Sequence, residues 1–117
     1  MSRVLEIRVG PPRDALDRFE AAWNRVAEGS KAPVLRVLTL RDLPLLSRTL
    51  TPARWELLER LAKDGPLSVY QLAKRLERDY KNVHTDVAQL VALGLIERQA
   101  DGVAVAWDRV RAELSLG

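Results

Sequence analysis

The sequence of 117 residues predicts an α+β fold, and two observations on the order of its segments support this prediction. Two short apolar runs of strand length lie in the first 40 residues, and the first of them has the two-residue periodicity of a strand. Segments with helical periodicity and capping residues follow between residues 51 and 94, and a strand hairpin comes directly after them. We therefore expect a small strand-containing unit followed by a helical unit that ends in a hairpin.

The first 50 residues are predicted to form a strand–helix–strand unit and a short helix. Val4 to Val9 alternates apolar residues on one face, as a strand does. Arg13 to Glu28 has an apolar stripe at helical spacing. Val34 to Leu40 is a second apolar strand, and Asp42 is placed to cap a short helix that continues to residue 50.

Capping residues define the helices of the C-terminal part. Thr51-Pro52 begins the first helix and Gly65-Pro66 ends it. Ser68 and Asp79 can cap the second and third helices, because their side chains accept backbone N–H groups. Gly94 ends the third, since glycine readily adopts the left-handed conformation that follows helices. The residues predicted to face the core are Trp55, Leu58, Leu61, Ala62, Val69, Leu72, Ala73, Leu76, Val83, Val87, Leu90 and Val91.

A hairpin is predicted directly after the third helix. Leu95 and Ile96 start its first strand, Asp101-Gly102 is a strong turn pair, and apolar residues alternate on the returning strand as far as Trp107. The tail from Asp108 to Leu116 is expected to add a helical turn or two. Helix, turn, helix and hairpin in this order indicate a winged helix-turn-helix, whose recognition helix enters the DNA major groove.

The chain is thus expected to have two domains, an N-terminal strand–helix–strand unit over residues 1–50 and a winged helix-turn-helix over residues 51–117. Two strands are too few to be stable alone. They need a partner, which is either the winged domain or the same element of a second chain. An edge strand that pairs across a two-fold axis would cover its open backbone groups, and this predicts a homodimer. A dimer presents two recognition helices and suits a palindromic site in double-stranded DNA.

The side chains expected to contact DNA lie on and around the recognition helix. Asn82 can read adenine, Lys81 can reach a guanine or a phosphate, and Thr85 can touch a thymine methyl group. Arg78, in the turn, is expected over the phosphate backbone. The other candidates are Ser68, Lys74, Tyr80, His84 and Gln89. The alternative interpretation is a solvated helix face, and His84 and Tyr80 are equally compatible with a role in packing.

Three segments in the last two thirds of the chain carry a family resemblance. They are LTPARWELLERL (Leu50 to Leu61), LAKRLERDYKNVHTDV (Leu72 to Val87) and LGLIE (Leu93 to Glu97). They resemble a family of prokaryotic winged-helix proteins related to the MarR-type regulators. The resemblance implies a transcriptional regulator, and some members are antitoxins encoded beside a toxin. The family pattern usually has glycine at the position of Glu77 and a basic residue at that of Thr85.

Composition argues against several other classes of function. The absence of cysteine and a single histidine, His84, argue against a zinc site formed from side chains alone. No apolar run approaches the roughly 20 residues that span a bilayer, and the N-terminus does not have the layout of a secretory signal, so a cytoplasmic location is expected. The sequence lacks a nucleophile–histidine–acid set and a glycine-rich phosphate loop, so neither an enzyme nor a cofactor is expected.

Three functions are consistent with these observations. The leading hypothesis is a sequence-specific, dimeric transcriptional regulator that represses its own operon, and this last property follows from the resemblance alone. The first alternative is an antitoxin-type module whose N-terminal unit binds a toxin protein. The second is a winged-helix adaptor that binds proteins and not DNA. A net charge of only +3 and the acidic Asp101 at the hairpin favour the second alternative.

Overall fold

The computed structural model describes residues 3–10 and 34–114, which form a mixed α+β structure, as the sequence predicts. The predicted helix from Arg13 to Glu28 lies outside the described residues. In chain order the described elements are β1 (Arg3–Val9), β2 (Val34–Leu40), α1 (Leu43–Thr49), α2 (Pro52–Asp64), α3 (Val69–Leu76), α4 (Tyr80–Ala92), β3 (Ile96–Gln99), β4 (Gly102–Val105) and β5 (Arg109–Leu114). None of the helices in this part of the chain is both long and apolar enough to span a bilayer.

The chain divides into two compact units. The first comprises Met1–Thr49 together with Trp107–Gly117, and the second comprises Leu50–Ala106. The C-terminal tail therefore belongs with the N-terminal strands, and not with the helical unit to which the sequence assigned it. The predicted returning strand of the hairpin is also shorter than expected, because β4 ends at Val105 and Trp107 already lies in the first unit.

The first unit contains a parallel sheet of three strands in the order β2-β1-β5. The predicted strands β1 and β2 are confirmed, but the tail forms the strand β5 and not a helix. Its sequence, RVRAEL, alternates charged and small or apolar residues, and this two-residue period fits a strand at the edge of a sheet. The N-terminal strands thus gain a third strand from the same chain, so a shortage of strands no longer argues for a dimer.

The central strand β1 is buried on both faces, as parallel strands commonly are. Leu5, Ile7 and Val9 lie on one face, and Arg8 is buried on the other. The charge of Arg8 is compensated, because its Nη2 lies 3.2 Å from Glu6 Oε1 and 3.7 Å from Glu113 Oε2 on β5. The ion pair with Glu113 therefore joins the central strand to the edge strand formed by the tail.

The predicted capping residues begin the helices of both units. Asp42 accepts the Leu45 N–H at 2.9 Å at the start of α1, and this hydrogen bond lowers the pKa of the Asp42 carboxyl. The Thr51 hydroxyl accepts a backbone N–H at the start of α2, and Asp79 does so at the start of α4. Ser68 and its third following residue, Gln71, cap each other's backbone N–H groups at the start of α3, which forms a capping box.

The core of the second unit differs from the prediction on helix α2. Leu57, Leu58 and Leu61 are buried, whereas Ala62 is exposed and the Trp55 side chain is 41% exposed. The buried stripe is centred on Leu57 and Leu61, which are four positions apart and lie on one face. Trp55 and Ala62 fall to the side of this stripe, so the expectation that both pack in the core is wrong.

The hairpin turn lies one residue earlier than predicted. Gln99 is paired with Gly102 in the antiparallel ladder, so the two turn residues are Ala100 and Asp101. Gly102 is needed for a different reason: a Cβ atom at this position would lie 2.2 Å from the Leu67 carbonyl oxygen. Leu67, between α2 and α3, exchanges two backbone hydrogen bonds with Val103, at 2.8 and 3.1 Å. The hairpin is thereby joined to the start of the α3–α4 pair.

The turn between α3 and α4 contains a residue in the left-handed conformation. Glu77 has φ 54° and ψ 43°, and in the described ranges it is the single non-glycine residue with positive φ. This conformation costs about 1–2 kcal/mol for a residue that has a Cβ atom. Glycine, which the resembled family usually has at this position, would avoid that cost.

Glu77→Gly is therefore expected to raise the free energy of unfolding by up to about 1 kcal/mol, because relief of the strain exceeds the entropy that glycine adds to the unfolded chain. Glu59→Gly makes the same chemical change at an exposed position within α2. This control is expected to lower the free energy of unfolding by about 1 kcal/mol. Urea denaturation measures both, and equal losses in the two variants would contradict this account of the turn.

Candidate nucleic-acid interface

Helix α4 has one buried side and one exposed side. Val83, Val87 and Leu90 are buried and fix its orientation in the second unit. The sequence-predicted candidates on this helix are all exposed, and they are Tyr80, Lys81, Asn82, His84, Thr85 and Gln89. The structure thus presents on one helix six of the nine side chains expected to contact DNA, and none of these six is used in the core.

The first turn of α4 carries the two candidates best placed for recognition. The backbone N–H of Asn82 donates to Asp79 Oδ2 at 3.2 Å, while its side-chain amide makes no hydrogen bond within the described residues. Lys81 is likewise exposed and has no ion pair with a described acid. An amide and an ammonium group at the N-terminal end of an exposed helix are therefore available to an external partner.

The hydroxyl of Thr85 is partly committed within the helix. Its Oγ1 donates to the carbonyl oxygen of Lys81 at 3.1 Å, which is the common back-bonding of threonine in helices. The methyl group and the oxygen lone pairs remain for a partner. This arrangement is compatible with the predicted contact between the Thr85 methyl group and a thymine methyl group, which does not require the hydroxyl proton.

Tyr80 and His84 form an aromatic pair on the flank of α4. Their ring centroids are 5.9 Å apart and the rings are tilted by 40°. Both side chains are exposed, and the Tyr80 side chain is 49% exposed. The two rings therefore pack against each other at the surface, and both the tyrosine hydroxyl and the imidazole can still reach a ligand.

The candidates before the turn occupy different environments. Ser68 is half-buried, and its Oγ accepts the Gln71 N–H at 3.1 Å, which leaves the hydroxyl proton to donate to a ligand. Lys74 is exposed, and its Nζ lies 5.7 Å from the centroid of the Tyr70 ring. The ammonium group stays in solvent, where it can approach a phosphate. Arg75, beside it, is instead directed to Asp64 on α2, with an Nη1–Oδ2 distance of 3.0 Å.

Arg78 lies in an ion-pair network that the sequence did not predict. Its Nη2 is 2.7 Å from Asp86 Oδ2, and Arg54 Nε is 3.1 Å from Asp86 Oδ1. One carboxylate of α4 thus joins two guanidinium groups, one from the turn and one from α2. The signal in the sequence was Asp86 itself, because an acid beside the buried stripe of a helix needs a cation to compensate it.

The network makes Arg78 a residue that positions α4, in addition to any contact with a phosphate. The side chains of Arg54, Asp86 and Arg78 are 16%, 15% and 26% exposed, so the two ion pairs are largely protected from solvent. Substitution of Arg78 would therefore disturb the protein as well as its binding. Lys74 and Lys81, which lie outside the network, are better positions at which to test phosphate contacts.

Asp86→Ala is expected to lower the free energy of unfolding by about 1–3 kcal/mol, because it leaves two half-buried guanidinium groups without a counter-charge. This range is below that of fully buried pairs, since solvent still reaches all three groups. Asp101→Ala removes an exposed carboxylate at the hairpin turn and should change stability by less than about 0.5 kcal/mol. Urea denaturation compares the two; an equally small loss in both would show that the network does not hold α4.

The charge around α4 is mixed. Lys74, Lys81 and, on β3, Arg98 are exposed cations, while Glu77, Asp79 and Asp101 are exposed acids in the two turns. Within residues 3–10 and 34–114, no group of three or more histidine, cysteine, aspartate or glutamate residues is arranged so that it could hold a metal ion. The three cations are balanced by the three acids, so binding to DNA would rely on few, well-placed contacts.

Comparison with known proteins adds one match. The family model described as HVO_A0114 matches residues 49–112, which is more than half of the chain and includes the whole of the second unit. No curated protein and no solved structure matches the sequence.

Proposed function

The chain belongs to the HVO_A0114 family, and we propose that its second unit is a winged helix-turn-helix that gives the protein the function of a sequence-specific, dimeric DNA-binding transcriptional regulator. In this proposal α3 and α4 are the helix-turn-helix, α4 is the recognition helix, and the β3–β4 hairpin is the wing. The partner is double-stranded DNA, and no cofactor takes part.

The observation that carries the proposal is the first turn of α4. Recognition helices read base edges with side chains near their N-terminal ends. Lys81 and Asn82 lie at that end, are exposed, and make no side-chain bond to another described residue. An asparagine amide fits the N6 and N7 atoms of adenine, and a lysine ammonium fits the acceptor atoms of guanine. The order of the elements and the Leu67–Val103 bridge, which ties the hairpin to the helices, support the same interpretation.

The flanking side chains suit contacts to the DNA backbone. Lys74 is an exposed cation on the helix that precedes the recognition helix, and the Ser68 hydroxyl lies at the N-terminus of that helix, where backbone N–H groups favour an anion. Arg98 extends this set to the wing. Because each protomer makes few phosphate contacts, one copy alone is expected to bind DNA weakly. A dimer doubles the number of counterions released from the DNA, so dimerisation should increase the affinity strongly.

The resemblance to MarR-type proteins extends the proposal to regulation. A dimer that occupies a palindromic site next to its own gene would repress transcription by excluding the polymerase. This step depends on the resemblance alone, and a reporter fused to the upstream region of the gene would test it. Loss of the protein should increase reporter expression if the protein is a repressor.

Selection of bound fragments from a random duplex pool tests the central proposal. We expect enrichment of one site with two related half-sites, and an affinity that falls as salt is raised. Recovery of the unselected pool composition by folded protein would contradict sequence-specific binding. The same result would favour the adaptor alternative. The exposed Trp55 fits that alternative because aromatic side chains are enriched in protein interfaces, and the acidic hairpin turn fits it too.

Charge reversal on α4 provides a matched test of the surface. Lys81→Glu is expected to weaken binding to the selected site by at least about ten-fold, because it replaces an attraction to DNA by a repulsion. Lys63→Glu makes the same change at an exposed lysine in the last turn of α2, outside the proposed motif, and should bind nearly as the wild type does. Fluorescence anisotropy measures both affinities, and equal effects of the two substitutions would indicate that α4 does not face DNA.

A further inference from the structure

The edge strand β5 has a sequence that is complementary to itself, and we propose that two copies of the chain pair antiparallel through β5. One edge of β5 is hydrogen-bonded to β1. The other edge has no strand partner in the part of the chain that the structure describes. An open edge exposes backbone N–H and C=O groups that another strand can use.

One register satisfies both faces of such a pair. With the two-fold axis at Ala112, this alanine lies opposite the partner's Ala112. Arg111 then lies opposite the partner's Glu113, and Val110 lies opposite the partner's Leu114. Directly opposite residues of an antiparallel pair share a face. One face therefore contains two opposite-charge pairs, the other contains two apolar pairs, and a small residue sits at the axis, where the backbones approach.

Neighbouring registers are unfavourable because they bring like charges together. With the axis at Arg111, this arginine would lie opposite the partner's Arg111, and with the axis at Glu113 two glutamates would meet. With the axis at Val110, Arg109 would lie opposite the partner's Arg111. Like charges directly opposite each other destabilise a strand pair. The sequence RVRAEL thus selects the register centred on Ala112.

The exposure of the β5 side chains agrees with this interface. Arg111 and Ala112 are exposed, and the Leu114 side chain is 45% exposed, which is large for an apolar residue in a sheet. Glu113 is 31% exposed and lies 3.7 Å from the buried Arg8, so its carboxylate is held in place and still reachable from outside. The cost of ordering this acid for a second arginine is therefore small.

The opposite edge of the sheet lacks these properties. Strand β2 has the sequence VLRVLTL, which contains one charged residue, Arg36, and no acid. An antiparallel pair of β2 strands centred on Val37 would place the exposed Arg36 opposite the partner's Leu38, and no opposite charge could compensate it. Charge complementarity therefore selects β5 as the dimer edge and a second copy of this chain as its partner.

The β5 pair stands independently of the proposed DNA binding, and it supplies the dimer that a palindromic site would need. The parallel sheets of two protomers would become one continuous sheet with β5 of each copy at its centre. Only the consequence for operator symmetry rests on the proposed function. A dimer that does not bind DNA would contradict the proposed function, and a monomer that binds DNA would contradict this inference.

Charge reversal across the axis tests the register. Arg111→Glu alone places two glutamate pairs across the interface, and Glu113→Arg alone places two arginine pairs there, so each variant should be monomeric by light scattering at micromolar concentration. Mixed together, they should form a heterodimer, because each reversed side chain then faces an opposite charge. Arg36→Glu, at an exposed arginine of the other edge strand, should remain a dimer. A monomeric wild type, or a dimeric Arg111→Glu variant, would overturn the proposal.

A cysteine cross-link gives a second readout that does not depend on Glu113, whose substitution could also disturb Arg8. The chain has no cysteine, so a single introduced thiol can cross-link only to its copy. Ala112→Cys should form a disulfide-linked dimer under mild oxidation, because directly opposite residues lie within the Cα separation of about 4.4–6.8 Å that disulfides require. Thr39→Cys, exposed on β2, should stay monomeric on a non-reducing gel. Equal cross-linking of both variants would reject the β5 interface.

Discussion

Gly102→Ala is expected to lower the free energy of unfolding by about 3–5 kcal/mol, the largest loss of stability anticipated for a single exchange in this protein. The added Cβ atom would lie 2.2 Å from the Leu67 carbonyl oxygen and 2.9 Å from the Ser68 nitrogen. Both atoms belong to the backbone, so they cannot move aside as a flexible side chain could. The φ of 143° at Gly102 adds strain for any residue with a Cβ atom.

The substitution has a structural consequence besides the size of the loss. Relief of the clash would separate β4 from Leu67 and break the two hydrogen bonds between Leu67 and Val103. The N–H of Leu67 immediately precedes Ser68, whose capping box starts α3. Gly102→Ala should therefore weaken both the hairpin and the start of the proposed helix-turn-helix.

Gly65→Ala is the matched control, because Gly65 also has a positive φ, of 80°, but a Cβ atom there would have no neighbour within 4 Å. It should cost only the strain of its backbone conformation, φ 80° and ψ −168°, which is nearly exclusive to glycine, about 1–3 kcal/mol. Urea denaturation of the two variants separates the effect of the clash between the added Cβ atom and Leu67 from the effect of backbone strain. Similar losses in both would show that the approach of β4 to Leu67 is not the reason for glycine at position 102.

The elements with strong local signals were predictable from the sequence. Helices α2, α3 and α4 begin at Thr51, Ser68 and Asp79 because each of these side chains can satisfy a backbone N–H within its own first turn. A cap involves residues that are close in sequence, so its signal does not depend on the rest of the fold. The same holds for the apolar stripe of α4 and for the strands β1 and β2.

Features that depend on distant residues were not predictable in the same way. The tail forms β5 because β1, more than 100 residues earlier in the chain, offers its open edge, as the pairing of Val4 with Arg109 shows. The hairpin turn moved to Ala100-Asp101 because Gly102 is required where β4 meets Leu67. In both cases a tertiary contact overrides the local preference of the segment.

The candidate interface shows the same division. Exposure of Lys81 and Asn82 follows from helical periodicity, which the sequence contains. The ion pair between Arg78 and Asp86 does not follow from periodicity, because the position of a long side chain in a turn depends on which acid the fold brings near it. Arg54 was not predicted for the same reason. It is the second partner of Asp86, and the two residues are 32 positions apart in the chain.

Asn82→Ala is expected to have the largest effect on DNA recognition. Removal of one hydrogen-bonded base contact costs about 1–3 kcal/mol, and a dimer is affected in both half-sites, so affinity for the selected site should fall by roughly 2–6 kcal/mol. Stability should change little, since the Asn82 side chain is exposed and only its backbone N–H takes part in the cap. Affinity for a scrambled duplex should be nearly unchanged, because that binding depends on phosphates.

Lys74→Ala provides the contrast that assigns the weaker binding to base reading. Removal of an exposed ammonium group should weaken binding to selected and scrambled duplexes alike, and it should reduce the slope of log affinity against log salt by about one counterion per protomer. Titrations of both variants against both duplexes at two salt concentrations separate the two patterns. Lys74 is preferable here to Arg78, whose ion pair with Asp86 would mix a loss of stability with the removal of a phosphate contact. Circular dichroism and the melting temperature should first show that the Asn82→Ala variant is folded like the wild type. If this variant then lost the same affinity for both duplexes, α4 could not be the helix that reads bases, and the proposed orientation on DNA would be wrong.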